Sequence, residues 1–331
     1  IGDNNPKNII GHVIPEAPGH PESKNLQRVD GSIQFDFANR IQFTGNTFQH
    51  LGSTALAFGR GTQNSEVASN LFRDISAAAV SLGDIFEDDR HPPFATYSMQ
   101  GNSLSNNLIR DIGVEYTDAP AIFVGFGSYN RVKNNTIVNV PWSGIAIGWG
   151  WGLLDPWSFP GLAAATSGMW GVSVTPTSMA HNAIIANRVD QFLQVGIDGG
   201  AVYTTGFQGK NLSAGLTISG NVATNKRLDS GGNTISTDGG SRYIQIKNNV
   251  SIMNPQGVTR LAPMPAFGDP LPYNQSYPQL DAIQYGGDFG GCVTFGDMRF
   301  FGNYHWYLTP LEYFDLCKSF SPQASTFPIA L

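Results

Sequence analysis

Charge is the first thing this chain is short of. Asp, Glu, Lys and Arg make up only 13% of its 331 residues, against 41% hydrophobic. The basic sign is the scarcer one, with 19 Lys and Arg against 25 Asp and Glu and a formal net charge of −6. A nucleic-acid footprint needs a basic face to neutralise phosphates, so that partner is excluded. Long apolar runs are missing as well. The most apolar stretch, Gly144 to Leu154, is broken by glycines and tryptophans and falls short of the roughly 18 consecutive apolar residues of a membrane span. No membrane partner is expected. Histidines are few, and His50, His91 and His181 lack the spacing of a zinc site, so neither metal nor cofactor is expected. Cysteine is limited to Cys292 and Cys317. In a secreted chain that pair would close a loop of about 25 residues and stabilise it by ~3 kcal/mol, and the alternative is two buried free thiols.

What the chain has in quantity is glycine (39), proline (20) and neutral polar side chains, the make-up of a turn-rich β protein with an uncharged polar skin. A neutral polar polymer is the more natural partner of such a surface. The sequence starts at Ile1 without a methionine or a charged and apolar leader, so any targeting segment is expected to have been removed or not included, and the protein is expected to be secreted. Four N-x-[ST] acceptors, at Asn134, Asn211, Asn249 and Asn274, fit that compartment.

One short pattern recurs. Alternating apolar segments that carry an asparagine appear around Asn46, Asn70, Asn107, Asn135, Asn187, Asn221 and Asn249, and each is followed by a second apolar segment such as Thr54 to Phe58, Ala121 to Val124, Gly144 to Ile147 or Ala201 to Tyr203. Seven marks give at least seven coils. Steps of 24 or 28 residues separate Asn46 from Asn70, Asn107 from Asn135 and Asn221 from Asn249, near the minimum for three short strands and three turns. Larger steps imply loops inserted at Phe86 to Gln100, Trp149 to Met179 and Lys226 to Gly232. Asparagine suits the corner because it tolerates left-handed backbone and stacks on its equivalent in the next coil. Helical periodicity is poor throughout. The pattern predicts an all-β, right-handed parallel β-helix over 32–254, with 1–31 an N-terminal extension or partial coil and 255–331 an irregular C-terminal segment packed on it. No capping helix precedes the first coil, so further N-terminal residues or a partner chain are expected to cover that edge.

Four consecutive coils concentrate acids and aromatics: Glu115, Tyr116 and Asp118; Trp142, Trp149 and Trp151; Asp198 and Tyr203; Asp238 and Arg242. Stacked outward faces of a β-helix form a platform on which a polymer can lie. Trp149, Trp151 and Tyr203 are candidate sugar platforms, because a pyranose packs its C–H face on an aromatic ring. Glu115 and Asp118 are spare carboxylates that could bind hydroxyls or replace one of a catalytic pair. Arg242 is a candidate for a substrate acid or for pairing with Asp238.

The run V-P-W-S-G-I-A-I-G-W-G-W-G, followed by I-D-G-G-A-V-Y-T-T-G and S-T-D-G-G-S, resembles the right-handed β-helix glycoside hydrolases, most specifically family 141, whose activities include α-L-fucosidase and xylanase. The resemblance covers about Asp111 to Asn254. It implies Asp198 and Asp238 as the catalytic carboxylates, although the second element usually reads D-E-G-S and here has Gly239 in place of the acid. Glycosidic cleavage needs two carboxyls flanking the bond. Asp198 precedes its strand while Asp238 ends the next coil's strand, so either a glycine-permitted bulge brings them together or only one is catalytic. A polysaccharide lyase, with Arg242 and Lys247 as the only nearby bases, and a non-catalytic carbohydrate-binding β-helix are the competing expectations.

Overall fold

The computed structural model describes residues 29–149, 176–196, 199–227, 233–238, 241–252, 298–301 and 304–305. Cys292, Cys317, Asn274, Trp151 and Asp198 lie outside the described residues.

Three sheets, all with parallel pairing, wrap one right-handed β-helix. The first sheet stacks β1 (Gly31–Phe35), β4 (Thr54–Phe58), β7 (Val80–Leu82), β10 (Ile122–Val124), β13 (Ile145–Ile147), β16 (Gly200–Thr204) and β19 (Asn233–Thr237). The second stacks β2 (Gln42–Thr44), β5 (Glu66–Ala68), β8 (Ser103–Ser105), β11 (Arg131–Lys133), β14 (Ala183–Ile185), β17 (Leu216–Ser219), β20 (Ile244–Lys247) and β22 (Met298–Phe301). The third stacks β3 (Thr47–Leu51), β6 (Leu71–Ile75), β9 (Leu108–Ile112), β12 (Thr136–Val138), β15 (Arg188–Asp190), β18 (Val222–Thr224), β21 (Val250–Ile252) and β23 (Tyr304–His305). The fold class expected from the repeat is the one observed. The ladder also resumes beyond Asn254, since β22 pairs with β20 and β23 with β21.

Alternation sends Leu56, Val80, Ile122, Ile145, Val202 and Ile235 into one continuous core column of the first sheet, all buried. Each such side chain stabilises by roughly 1.5–3 kcal/mol. At the N-terminal end the core is aromatic: Phe48 stacks on Phe72 at 4.7 Å and Phe35 on Phe58 at 5.6 Å. Phe58 is fully buried, but Ile33 is 38% and Phe37 55% exposed in the first described coil.

The asparagine column divides into two jobs. The left-handed corner residue, with φ between 54° and 71°, is Gly45, Ser69, Asn106, Asn134, Ala186, Gly220 or Asn248. The residue after it is the asparagine of every coil, and from Asn70 to Asn249 it is buried. Its Oδ1 accepts from the backbone N–H and the Nδ2 of the preceding coil's asparagine, as in Asn107 to Asn135 at 3.0 and 2.9 Å. A second column occupies the corner between the first and second sheets: Ser65, Asn102, Asn130 and Asn182 are joined by 2.9–3.1 Å bonds. Asn249 belongs to the first column, its Nδ2 donating to the Ile218 carbonyl, so a glycan there would break the ladder. Asn134 and Asn211 are exposed.

Of the expected insertions, the one after β7 is described. It carries α1 (Glu87–Arg90), whose buried Asp89 is gripped by both Arg60 Nε and Nη2 at 3.0–3.1 Å. Asp89 draws the Arg60 guanidinium pKa above its ordinary value, against the opposing effect of burial.

Candidate functional site

The outer faces of the three sheets differ. Outward residues of the second and third sheets, such as Glu66, Arg131, Lys133 and Arg188, are exposed. On the first sheet the outward column runs Ala57, Ser81, Phe123, Ala146, Tyr203 and Ser236, and every member is buried. One face of the solenoid is therefore set apart, and the acids and aromatics gather at its C-terminal end.

Asp238 follows β19 and faces the same side as Ser236. Its Oδ2 accepts a short hydrogen bond from the Tyr203 hydroxyl, one coil back. Both residues are buried, at 5% and 1% exposure, so the carboxyl is held rather than solvated. The turn after it is pinned from two directions: Asp238 N donates to the Thr204 carbonyl at 2.9 Å, and Ser241 N donates to the Asp238 carbonyl at 2.9 Å. The Ser241 hydroxyl meets Thr204 Oγ1 at 2.8 Å. In the S-T-D-G-G-S element, then, the aspartate presents a carboxyl and the last serine fastens its loop.

Trp142 completes the constellation, its ring 5.3 Å from that of Tyr203. The chain passes close above it at Gly199, which has φ of 120° and whose imagined Cβ would stand 2.5 Å from Trp142 Nε1 and 2.6 Å from Ser143 Oγ. Ser143 Oγ accepts from Gly200 N at 3.1 Å. This is the physical need behind the two glycines that follow Asp198. Gly199→Ala is expected to cost about 2–4 kcal/mol through backbone strain and the collision with an indole that is itself buried, measured as a drop in urea-denaturation free energy. A loss below about 0.5 kcal/mol would show that the turn relaxes freely.

The remaining predicted residues are not all brought to this face. Trp149 is buried in the core cluster at the corner after β13, with an indole N–H that has no hydrogen-bond partner among the described residues, so its ring is not an open platform. Glu115 is exposed on the turn before β10. Asp118, on the same turn, is half-buried, and burial raises its carboxyl pKa above the ordinary range, only partly offset by its own backbone amide. Arg242 lies past the corner, its guanidinium 5.2 Å over Phe207 and 4.9 Å over Tyr243. Trp142, rather than the glycine-flanked Trp149, meets Tyr203, and its sequence signal is its place three residues before β13.

The Asp118 shift has a consequence for stability. Its folded pKa lies above its unfolded one, so the folded chain keeps a proton that the unfolded chain releases. Stability falls as pH climbs from the ordinary aspartate range through the raised value and then levels off. Asp118→Asn should therefore be more stable than the wild type at pH 7 and no more stable at about pH 3, where both states are largely protonated. Urea titrations at the two pH values check this, and an equal difference at both would refute it.

The geometry defines a parallel β-helix with a buried carboxylate–aromatic cluster on one sheet face. No family model matches the chain, and no curated protein does. Among solved structures it is similar to a chain described as "Glycoside hydrolase", with a TM-score of 0.57 and 24% identity over 69% of this chain and 36% of that one. PfbA, a surface adhesin of Streptococcus pneumoniae, aligns with a TM-score of 0.41 and 12% identity over 70% of this chain and 53% of that one. The chain thus spans about a third of the glycoside hydrolase it matches, and the likeness establishes the fold.

Proposed function

We propose that the protein is a secreted glycoside hydrolase acting on cell-wall glycans in the manner of family 141, with Asp238 as a catalytic carboxylate; β16 and β19 pair without a bulge, which leaves Gly199 and Asp238 at opposite ends of the strands, so of the two aspartates Asp238 alone takes the role. The observation that carries this reading is the Asp238 carboxyl oriented by Tyr203 beside Trp142. A carboxyl held in a fixed direction is what the acid or nucleophile of glycosidic cleavage requires, and the buried Tyr203 and Trp142 rings keep it there. The likeness of fold to a glycoside hydrolase supports it. Tyr203 serves as a positioning residue, and Glu115 and Asp118 stand on the turn before β10, three coils before the one that carries Asp238. The first test is a product assay on a panel of polysaccharides. New reducing ends support hydrolysis, an unsaturated ultraviolet-absorbing product would establish a lyase, and binding without any product would leave a carbohydrate-binding solenoid.

A further inference from the structure

The insertion after β7 also leaves aromatic rings in solvent beside the first two described coils. Phe94 is 67% exposed, and Phe37, in the first of those coils, 55%. Tyr97 stands between them, its ring 5.1 Å from that of Phe37 at 74° and 5.9 Å from that of Phe94 at 60°. The Arg60 guanidinium lies 5.7 Å over Tyr97. Hydrogen bonds fix this shelf to the second coil: Gly61 N donates to the Tyr97 carbonyl at 3.0 Å, and Gln63 Nε2 donates to the Ala95 and Ser98 carbonyls at 3.0 Å each. Phe37 lies against the same coil, its Cδ1 2.7 Å from where a Gly61 Cβ would stand. Next to it in the chain, the exposed Asp36 carboxylate reaches over Gly59 and accepts from Gln34 Nε2 at 3.2 Å.

We propose that this shelf is a second binding site, remote from Asp238, that holds a neutral glycan chain. Rings left in water forgo the stabilisation of burial, and a fixed cluster of them marks a surface that a partner covers. Its size selects the partner. The exposed parts of the two phenylalanines amount to on the order of 200–300 Å². A stable protein partner covers about 800 Å² on each side, so the shelf suits a few sugar rings, whose C–H faces pack on it. The Asp36 carboxylate beside the rings accepts from sugar hydroxyls. Because the loop is already pinned, little ordering cost opposes binding. Phe37 and Asp238 both follow the C-terminal ends of strands in the first sheet, β1 and β19, six strand spacings or ~29 Å apart. A polymer held at the shelf therefore raises its own effective concentration at Asp238. The inference rests on the glycan-cleaving reading above and adds that the substrate is a long chain rather than a short oligosaccharide.

Affinity electrophoresis of the full chain through gels containing soluble xylan, β-glucan or galactomannan tests it, with hydrolysis of the same polymers followed in parallel. At least one polymer should retard the wild type. Phe94→Ala and Phe37→Ala should each weaken that binding about fivefold or more, and Phe94→Trp should preserve it, since a larger ring offers the same kind of face. Both rings are more than half exposed, so melting temperatures should confirm that the variants fold. No retardation by any of the polymers, or retardation that survives Phe94→Ala or Phe37→Ala, overturns the proposal. So does a concentration-dependent dimer in sedimentation velocity that Phe94→Ala abolishes, which would give the shelf to a second copy of the chain. A polymer bound through the shelf but never cleaved would leave the shelf standing and remove the hydrolase reading. Cleavage of a polymer whose retardation neither alanine variant weakens would do the reverse.

Discussion

Asp238→Asn is expected to lower glycan hydrolysis by about a thousandfold or more while leaving the fold and glycan binding in place. The substitution is isosteric, and the amide oxygen can still accept from the Tyr203 hydroxyl, so the bond that fixes the side chain survives. What disappears is the carboxyl's capacity to donate a proton to a leaving oxygen or to attack the anomeric carbon. Tyr203→Phe separates position from chemistry. It leaves the carboxyl but removes its orienting donor, for which about tenfold to a hundredfold is expected, chiefly in kcat. Asp198→Asn should keep most of the activity that Asp238→Asn loses, because the unbulged pairing of β16 with β19 separates Gly199 from Asp238 by a strand's length. Full activity in Asp238→Asn would sink the assignment. A loss in Asp198→Asn as deep as in Asp238→Asn would restore the pair, whereas Asp118 and Glu115, three strand spacings of ~4.8 Å away, lie too far from Asp238 to replace it.

The fold was legible because its signal is a repeat: the strand alternation and the asparagine recur in every coil, so each instance supports the others. The finer division of the corner was less so. Sequence places Asn134 and Asn135 side by side with equal claim, and only backbone geometry shows that the first carries the left-handed φ while the second is buried in the ladder. The second column of Asn102, Asn130 and Asn182 announced itself as an asparagine five residues ahead of Asn107, Asn135 and Asn187, but a loop-rich chain offers many such coincidences. The site was legible as a region. Tyr203 and Asp238 meet because the parallel register sets Tyr203 beside Ser236 and leaves Asp238 one step diagonally beyond it. Which tryptophan packs against Tyr203 depends on where each turn folds back, and alternation does not extend into turns.

A single core asparagine should matter more to stability than the residue next to it. Asn135→Ala is expected to cost about 3–5 kcal/mol, and Asn134→Ala about 1 kcal/mol or less. Removing the Asn135 amide strips the buried Asn107 backbone N–H of its acceptor at 3.0 Å and the Leu104 carbonyl of a donor at 3.1 Å, and it leaves a cavity between two coils. It also breaks the bond to Asn187 Oδ1 at 3.0 Å, so the ladder is interrupted in its middle. A buried group left without its partner costs about 1–3 kcal/mol, and the missing volume adds to that. Asn134, in contrast, is exposed, and the equivalent left-handed position one coil later is already an alanine, Ala186, at φ of 54°. Because each coil contacts only its neighbours, the loss in Asn135→Ala should be concentrated there, with hydrogen exchange accelerating first in β11, β12 and their partners in adjacent coils. Urea denaturation of the two variants side by side measures the contrast. Equal, small losses in both would mean that the asparagine column marks the corner without holding it.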